Sequence, residues 1–341
     1  MINQRTMGRT GLKLSELCLG TLNFGWKTDE AASLAILDAY HAAGGNFIQS
    51  TSPAPEIVLA SASASTSEEI VGRWWKARGH RRDELILATR IHVRQTPGDE
   101  AAFARTVREA CQRSLRRLQT TYLDLVVFEW NSGLLPIRYS LEAFDQVVRN
   151  GLARFIGAAN FPLWRVSDAI ARAYLRNRCR MEAIQSDYSL LTRARFEPEA
   201  MALCQEQRLG FFARSPLAGG FLAHRPGIGG LLSSSRRDWL TERFGNRYGD
   251  AALAAVTEVA ARHAASSAQV ALGWVLHNPA VTAAIVGVHS VGQLNELLQA
   301  SRVQLTAADL SQLDSATAVE EIRVAPEITP SLPKAREWVY N

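Results

Sequence analysis

Short apolar runs of strand length alternate with amphipathic helical stretches along almost the whole chain, and few folds accept that rhythm. The strand-like runs fall at 17–20, 46–50, 85–90, 122–129, 153–157, 183–186, 209–213 and 283–286, eight in all. Helical patterns lie between them at 29–43, 66–77, 100–118, 139–149, 163–176 and 198–207, with two more at 251–263 and 268–276 before the last strand. Strands joined through helices pair in parallel, because a parallel connection needs a long crossover. The pattern predicts the α/β class and a single (β/α)8 TIM barrel over residues 1–341, with 319–341 as a C-terminal tail; a doubly wound sheet is the alternative. The turn-rich stretch MGRTGLKL at 7–14 predicts an N-terminal β-hairpin capping the bottom of the barrel.

At 47% hydrophobic and 21% charged residues the chain has the composition of a globular protein with a large core. No apolar run approaches the ~20 residues of a membrane span, and the opening residues lack the apolar core of a signal peptide, so a cytoplasmic protein with no membrane partner is expected. The net charge of +5 is spread along the chain. That argues against nucleic acid and suits an anionic cofactor equally well. Cys18, Cys111, Cys179 and Cys204 have no metal-ligand spacing, so idle thiols and no metal site are expected.

Barrel chemistry sits at the carboxyl ends of the strands. One run stands out there: YLDLVVFEWN at 122–131 carries a single carboxylate, Glu129, at the end of an apolar strand. Arg90 and His92 end the run before it, and Asn160 and Gln185 end later ones. The capping-box pair Thr66 and Glu69 opens the helix at 66–77. Loops at 54–65 and 223–248 are expected to shape the pocket, and Trp74, Trp75, Trp164 and Trp274 are expected to be packing residues.

LGTLNFG (19–25), GGNFI (44–48), SEEIVGRW (67–74), SLRRLQTTYLDL (114–125), FIGAANF (155–161), SPLAGGFL (215–222) and IVGVHSVGQLNE (285–296) occur in this order. Together they resemble the aldo-keto reductase superfamily over nearly the whole chain. The resemblance implies a nicotinamide dinucleotide, NADPH with NADH left open, held across the top of the barrel, and a carbonyl-reducing tetrad of Asp, Tyr, Lys and His. All four tetrad positions differ: Gln49, Ala54, Arg90 and Glu129 stand there. Gln49, Arg90 and Glu129 are therefore the candidate catalytic set.

The same resemblance assigns the nicotinamide carboxamide to Asn160 and Gln185, with Ala159 replacing a usual serine. It assigns the pyrophosphate to the loop of Ser215, Leu217 and Gly219, and the adenosine phosphate to Gly287, Ser290, Gln293 and Glu296. His289 stands where a basic residue usually grips the 2′-phosphate.

A ketone needs its oxygen protonated or polarised to accept hydride. Ala54 has no proton to give, and an arginine, with a pKa above about 12, is a poor acid. An imine protonates near neutral pH and needs no such donor. A carboxylate at Glu129 would attract the iminium, and Arg90 would suit a substrate carboxylate. The set resembles aldo-keto-reductase-like imine reductases that intercept 2-imino acids released by an amino-acid oxidase. The alternatives are a carbonyl or sugar reductase with an atypical proton donor, or a non-catalytic protein that binds a cofactor or a partner.

Overall fold

The computed structural model describes residues 1–51, 66–92, 100–129, 137–223 and 234–318. Eight parallel strands close into a barrel: β3 (Leu17–Gly20), β4 (Phe47–Thr51), β5 (Ile86–His92), β6 (Leu123–Glu129), β7 (Ala153–Ala159), β8 (Met181–Asp187), β9 (Gly210–Arg214) and β10 (Ala283–Val286). β10 pairs in parallel with both β9 and β3, so no edge remains and the doubly wound alternative is excluded.

Helices cover the outside: α1 (Glu30–Ala42), α2 (Ser67–Ala77), α3 (Glu100–Arg117), α4 (Ile137–Arg149), α5 (Leu163–Leu175), α6 (Ala200–Gln207), α7 (Ser234–Phe244), α8 (Arg247–Arg262), α9 (Ser267–His277), α10 (Val291–Leu298) and α11 (Ala307–Ala316). Their starts follow side-chain caps legible in the sequence. Asp29 accepts a hydrogen bond from the Ala32 amide, and Thr66 and Glu69 form the expected capping box.

Successive strand residues point to opposite sides, and this sorts the core into two bodies. Val126 and Phe128 of β6 pack outward, where Phe128 stacks on Phe144 of α4 with ring centres 3.8 Å apart. Leu125 and Val127 point inward and join Phe47, Ile86, Ala88, Ala183 and Phe212. The same alternation carried to the strand ends turns Gln49, Arg90, His92, Glu129, Gln185, Asp187 and Arg214 to the inside of the mouth.

The hairpin pairs β1 (Gln4–Thr6) with β2 (Lys13–Ser15), and Met7 and Leu14 enter the interior cluster fully buried. It caps the barrel as expected, but the stretch from Met7 to Leu12 is the turn rather than the strands, closed by the Met7 amide donating to the Leu12 carbonyl.

Two expectations need correction. The region expected as loop at 223–248 contains α7, whose sequence is so charged that Leu240 and Phe244 alone are buried among its described side chains, too little to show as an apolar stripe. Trp164 is not a packing residue: it is 64% exposed, whereas Trp74, Trp75 and Trp274 are buried. The expected loop at 54–65, Ala54 with it, and the tail at 319–341 lie outside the described residues. All four cysteines are free thiols. No helix among the described residues is long and apolar enough to cross a membrane.

Candidate functional site

The inward-facing strand ends build one polar layer over an apolar barrel. Glu129 lies at its centre, with its side chain 12% exposed. Arg90 Nε is 3.4 Å from Oε2, His92 Nδ1 is 2.9 Å from the same oxygen, and Arg214 Nη1 is 3.7 Å from Oε1. Asn160 Nδ2 donates to Oε1 at 2.9 Å. Register places these residues: His92 is paired with Glu129, and Glu129 with Ala159, the residue before Asn160.

Burial alone would push the Glu129 carboxyl up, but the His92 contact and the charges of Arg90, His92 and Arg214 outweigh it and hold the pKa at about 2. The carboxylate is ionised at neutral pH. Burial lowers the Arg90 pKa and the Glu129 charge opposes that, so the pair is held together by mutual need. Yet the geometry between them is loose. Among the described residues, Arg90 Nε and Glu129 Oε2 are both buried without a hydrogen bond. A donor and an acceptor thus stand side by side, each with unused capacity.

Arg214 extends the layer. Its Nε donates to Asp187 Oδ1 at 2.8 Å and its Nη2 to Asn160 Oδ1 at 3.2 Å, while Arg243 of α7 reaches Asp187 Oδ2 at 3.7 Å. Asn160 itself takes a left-handed backbone, φ 58°, which asparagine tolerates better than most residues, and its amide N–H donates to the Gln185 carbonyl. Below this layer Gln49 and Gln185 pair by their side-chain amides: Gln49 Nε2 donates to Gln185 Oε1 at 2.9 Å, and Gln185 Nε2 to Gln49 Oε1 at 3.2 Å.

The chain after Arg214 turns through left-handed positions at Ser215, Ala218, Gly219 and Gly220. Leu217 accepts from the amides of Gly220 and Leu222 through its carbonyl. Such turns direct backbone N–H groups to one side, the geometry of an anion cradle. After β10 and Gly287, Ser290 caps α10 by accepting from the Gln293 amide, and Gln293 Oε1 accepts from the His289 amide. Glu296 lies in the same helix. His289 is tied to Thr28 and Asn23, and burial followed by the charge of Lys27 lowers its pKa, so it is uncharged near neutral pH. The basic side chain expected there is absent, and Lys27 carries the local charge.

A model of the Aldo/keto reductase family matches residues 16–318. The chain belongs to the aldo/keto reductase family. This aldo/keto reductase is similar to the uncharacterized oxidoreductase YrpG of Bacillus subtilis (strain 168), 33% identical over 316 residues, which is 90% of this chain and 94% of that one. It is also similar to Protein tas of Escherichia coli (strain K12), 28% identical over 337 residues, 90% of this chain and 95% of the other. A probable voltage-gated potassium channel subunit beta of Oryza sativa subsp. japonica is 28% identical over 305 residues, 87% of this chain and 90% of its own. As a member of the family, the chain is in general an NAD(P)H-dependent oxidoreductase that acts on small molecules.

In this aldo/keto reductase the fold brings Glu129, Arg90 and Asn160 into contact and pairs Gln49 with Gln185, whereas the loop from Ser215 and the start of α10 form separate features on neighbouring strands. Asp187 and Arg214 join these residues, and His92, which the sequence marks only as a strand-end residue, contacts Glu129. A signal existed: each lies two residues beyond an inward-facing residue of its own strand, so period two carries it to the same face. Among the described residues no cluster of three or more His, Cys, Asp or Glu could hold a metal ion.

Proposed function

We propose that the protein reduces the C=N bond of a 2-imino acid, using NADPH or NADH. What supports this above all is the loosely aligned ion pair in the mouth, Arg90 Nε beside Glu129 Oε2, neither atom of which makes a well-aligned hydrogen bond. A 2-imino acid carries a protonated nitrogen one carbon away from a carboxylate. Its N–H suits the ionised Glu129 and its carboxylate suits Arg90, so one small ligand satisfies both groups. Among the described residues, no tyrosine or lysine occupies an inward-facing strand end. An iminium carbon is already electrophilic and needs neither.

The donor set fits the nicotinamide dinucleotide of the family. A primary amide has two N–H groups and an oxygen with two lone pairs. Asn160 and Gln185 each use part of that capacity inside the protein and keep part for a carboxamide. Ser215, Leu217 and Gly219 would lie along the pyrophosphate, and Gly287, Ser290, Gln293 and Glu296 along the adenosine phosphate. The bound dihydronicotinamide supplies the hydride. Glu129 holds the iminium N–H, Arg90 orients the carboxylate, and the buried layer limits water. Oxidation of an amino acid is the class of reaction that would supply such a substrate.

A second proposal rests on His92. Its Nδ1 lies 2.9 Å from Glu129 Oε2. An imidazole steadied by a carboxylate can serve as a general acid, which would allow a ketone or sugar carbonyl to be reduced.

The test is a fluorescence titration with NADPH and NADH, followed by cofactor oxidation with an imino acid generated in place and with its 2-keto acid. Turnover of the imino acid alone is expected. Turnover of the keto acid alone would overturn the imine proposal, and failure to bind either nucleotide at millimolar concentration would overturn both.

A further inference from the structure

β4 and β8 are four strands apart in a closed ring of eight, so Gln49 and Gln185 start from opposite walls and their amides meet across the barrel. Both are buried, at 5% and 2% exposure. Gly20 and Ala88, the register partners of Gln49, are small, and Gln185 has Ala159 on one side and Phe212 on the other. Two long side chains with many rotamers are thereby frozen, a conformational cost offset by two reciprocal hydrogen bonds. A shorter amide or acid on either strand would not span the gap. Neither member titrates, so the bridge is independent of pH.

We propose that Gln49 is a positioning residue for the nicotinamide end of the cofactor. The inference rests on the proposed contact between Gln185 and the carboxamide. The reciprocal pair consumes one N–H and one lone pair of each amide and leaves one of each. What Gln185 can still offer is confined to the plane set by Gln49. Without Gln49, the Gln185 side chain is free to rotate about its terminal bonds, and the carboxamide loses a fixed partner. Gln49 touches no reacting atom in this scheme and acts through Gln185.

The experiment is a double-mutant cycle on nucleotide affinity, read by tryptophan fluorescence, with Gln49→Met, Gln185→Leu and the double variant. Two probes are used: NADPH, and 2′-phospho-ADP-ribose, which lacks the nicotinamide. Each single substitution is expected to weaken NADPH about tenfold, the loss of about one hydrogen-bonded contact. The double variant should bind NADPH no more weakly than Gln185→Leu alone, and 2′-phospho-ADP-ribose should bind all variants within about twofold of wild type. Thermal unfolding of Gln49→Met checks the fold, and Gln49→Leu serves as a second variant where Met packs poorly. Effects on NADPH that multiply in the double variant, or equal losses for both probes, would overturn the inference while leaving cofactor binding intact. A wild-type protein that binds the ribose probe but gains nothing from the nicotinamide would remove the underlying contact, and the inference with it.

Discussion

Oε2 of Glu129 lies 2.9 Å from Nδ1 of His92 and 3.4 Å from Nε of Arg90, and neither contact has the alignment of a well-made hydrogen bond. The carboxylate is surrounded by positive charge and still has capacity to accept. A site relaxed around a structural ion pair would be expected to close that gap, because an unmade buried hydrogen bond costs about 1–3 kcal/mol. The opening is where a substrate N–H belongs under the imine proposal.

The charge of Glu129 should be visible in stability against pH. Its pKa is about 2 in the folded chain, against about 4.3 for an unfolded glutamate. A depressed carboxyl pKa stabilises the fold above the unfolded value, and the contribution fades as pH falls from about 5 towards 2. The difference amounts to about 3 kcal/mol. Urea unfolding of wild type and Glu129→Gln across that window should give curves that converge at low pH; parallel curves would show that the carboxylate is not held ionised.

His92→Gln separates the two catalytic proposals. Gln keeps a polar contact with Glu129 but cannot deliver a proton. Imino-acid turnover should fall by less than about threefold, whereas a carbonyl reaction that uses His92 as its acid should fall by about 10²-fold or more. A loss of that size with the imino acid as substrate would make His92 the proton donor.

At the adenosine end, His289 is uncharged near neutral pH and Lys27 supplies the local positive charge. His289→Gln should therefore leave NADPH affinity at pH 7.5 within about threefold of wild type, whereas Lys27→Ala should weaken NADPH about fivefold, a salt-sensitive effect smaller for NADH. Equal losses of NADPH and NADH in Lys27→Ala would show that the lysine does not sense the 2′-phosphate.

Met7 is fully buried in the barrel floor, far along the strands from the polar layer. Met7→Ala should cost about 2–4 kcal/mol of stability through the cavity it leaves. Nucleotide affinity should be unchanged at temperatures where the variant is folded. A fall in affinity comparable to that of Gln185→Leu would mean that the hairpin plug and the mouth are coupled.

Much of the fold was legible because strand and helix periods are local properties of the chain. The run LDLVVFE announces a strand, and counting two residues at a time from Leu125 puts Glu129 on the inner face. The caps at Thr66 and Asp29 are equally local. α7 escaped notice because a charged helix with few buried residues has no stripe to detect, and the exposure of Trp164 could not be told from its neighbours alone.

The sequence by itself determined the alternation of strands and helices and the kind of side chain that ends each strand. Closure of the barrel decided the rest. It set Gln49 against Gln185 from opposite walls, brought Arg214 against both Asp187 and the Asn160 amide, and raised enough positive charge around Glu129 to keep it ionised despite burial. The reason is physical: hydrogen bonds and pKa values depend on distances between residues remote in the chain, and those distances exist only once the ring is closed.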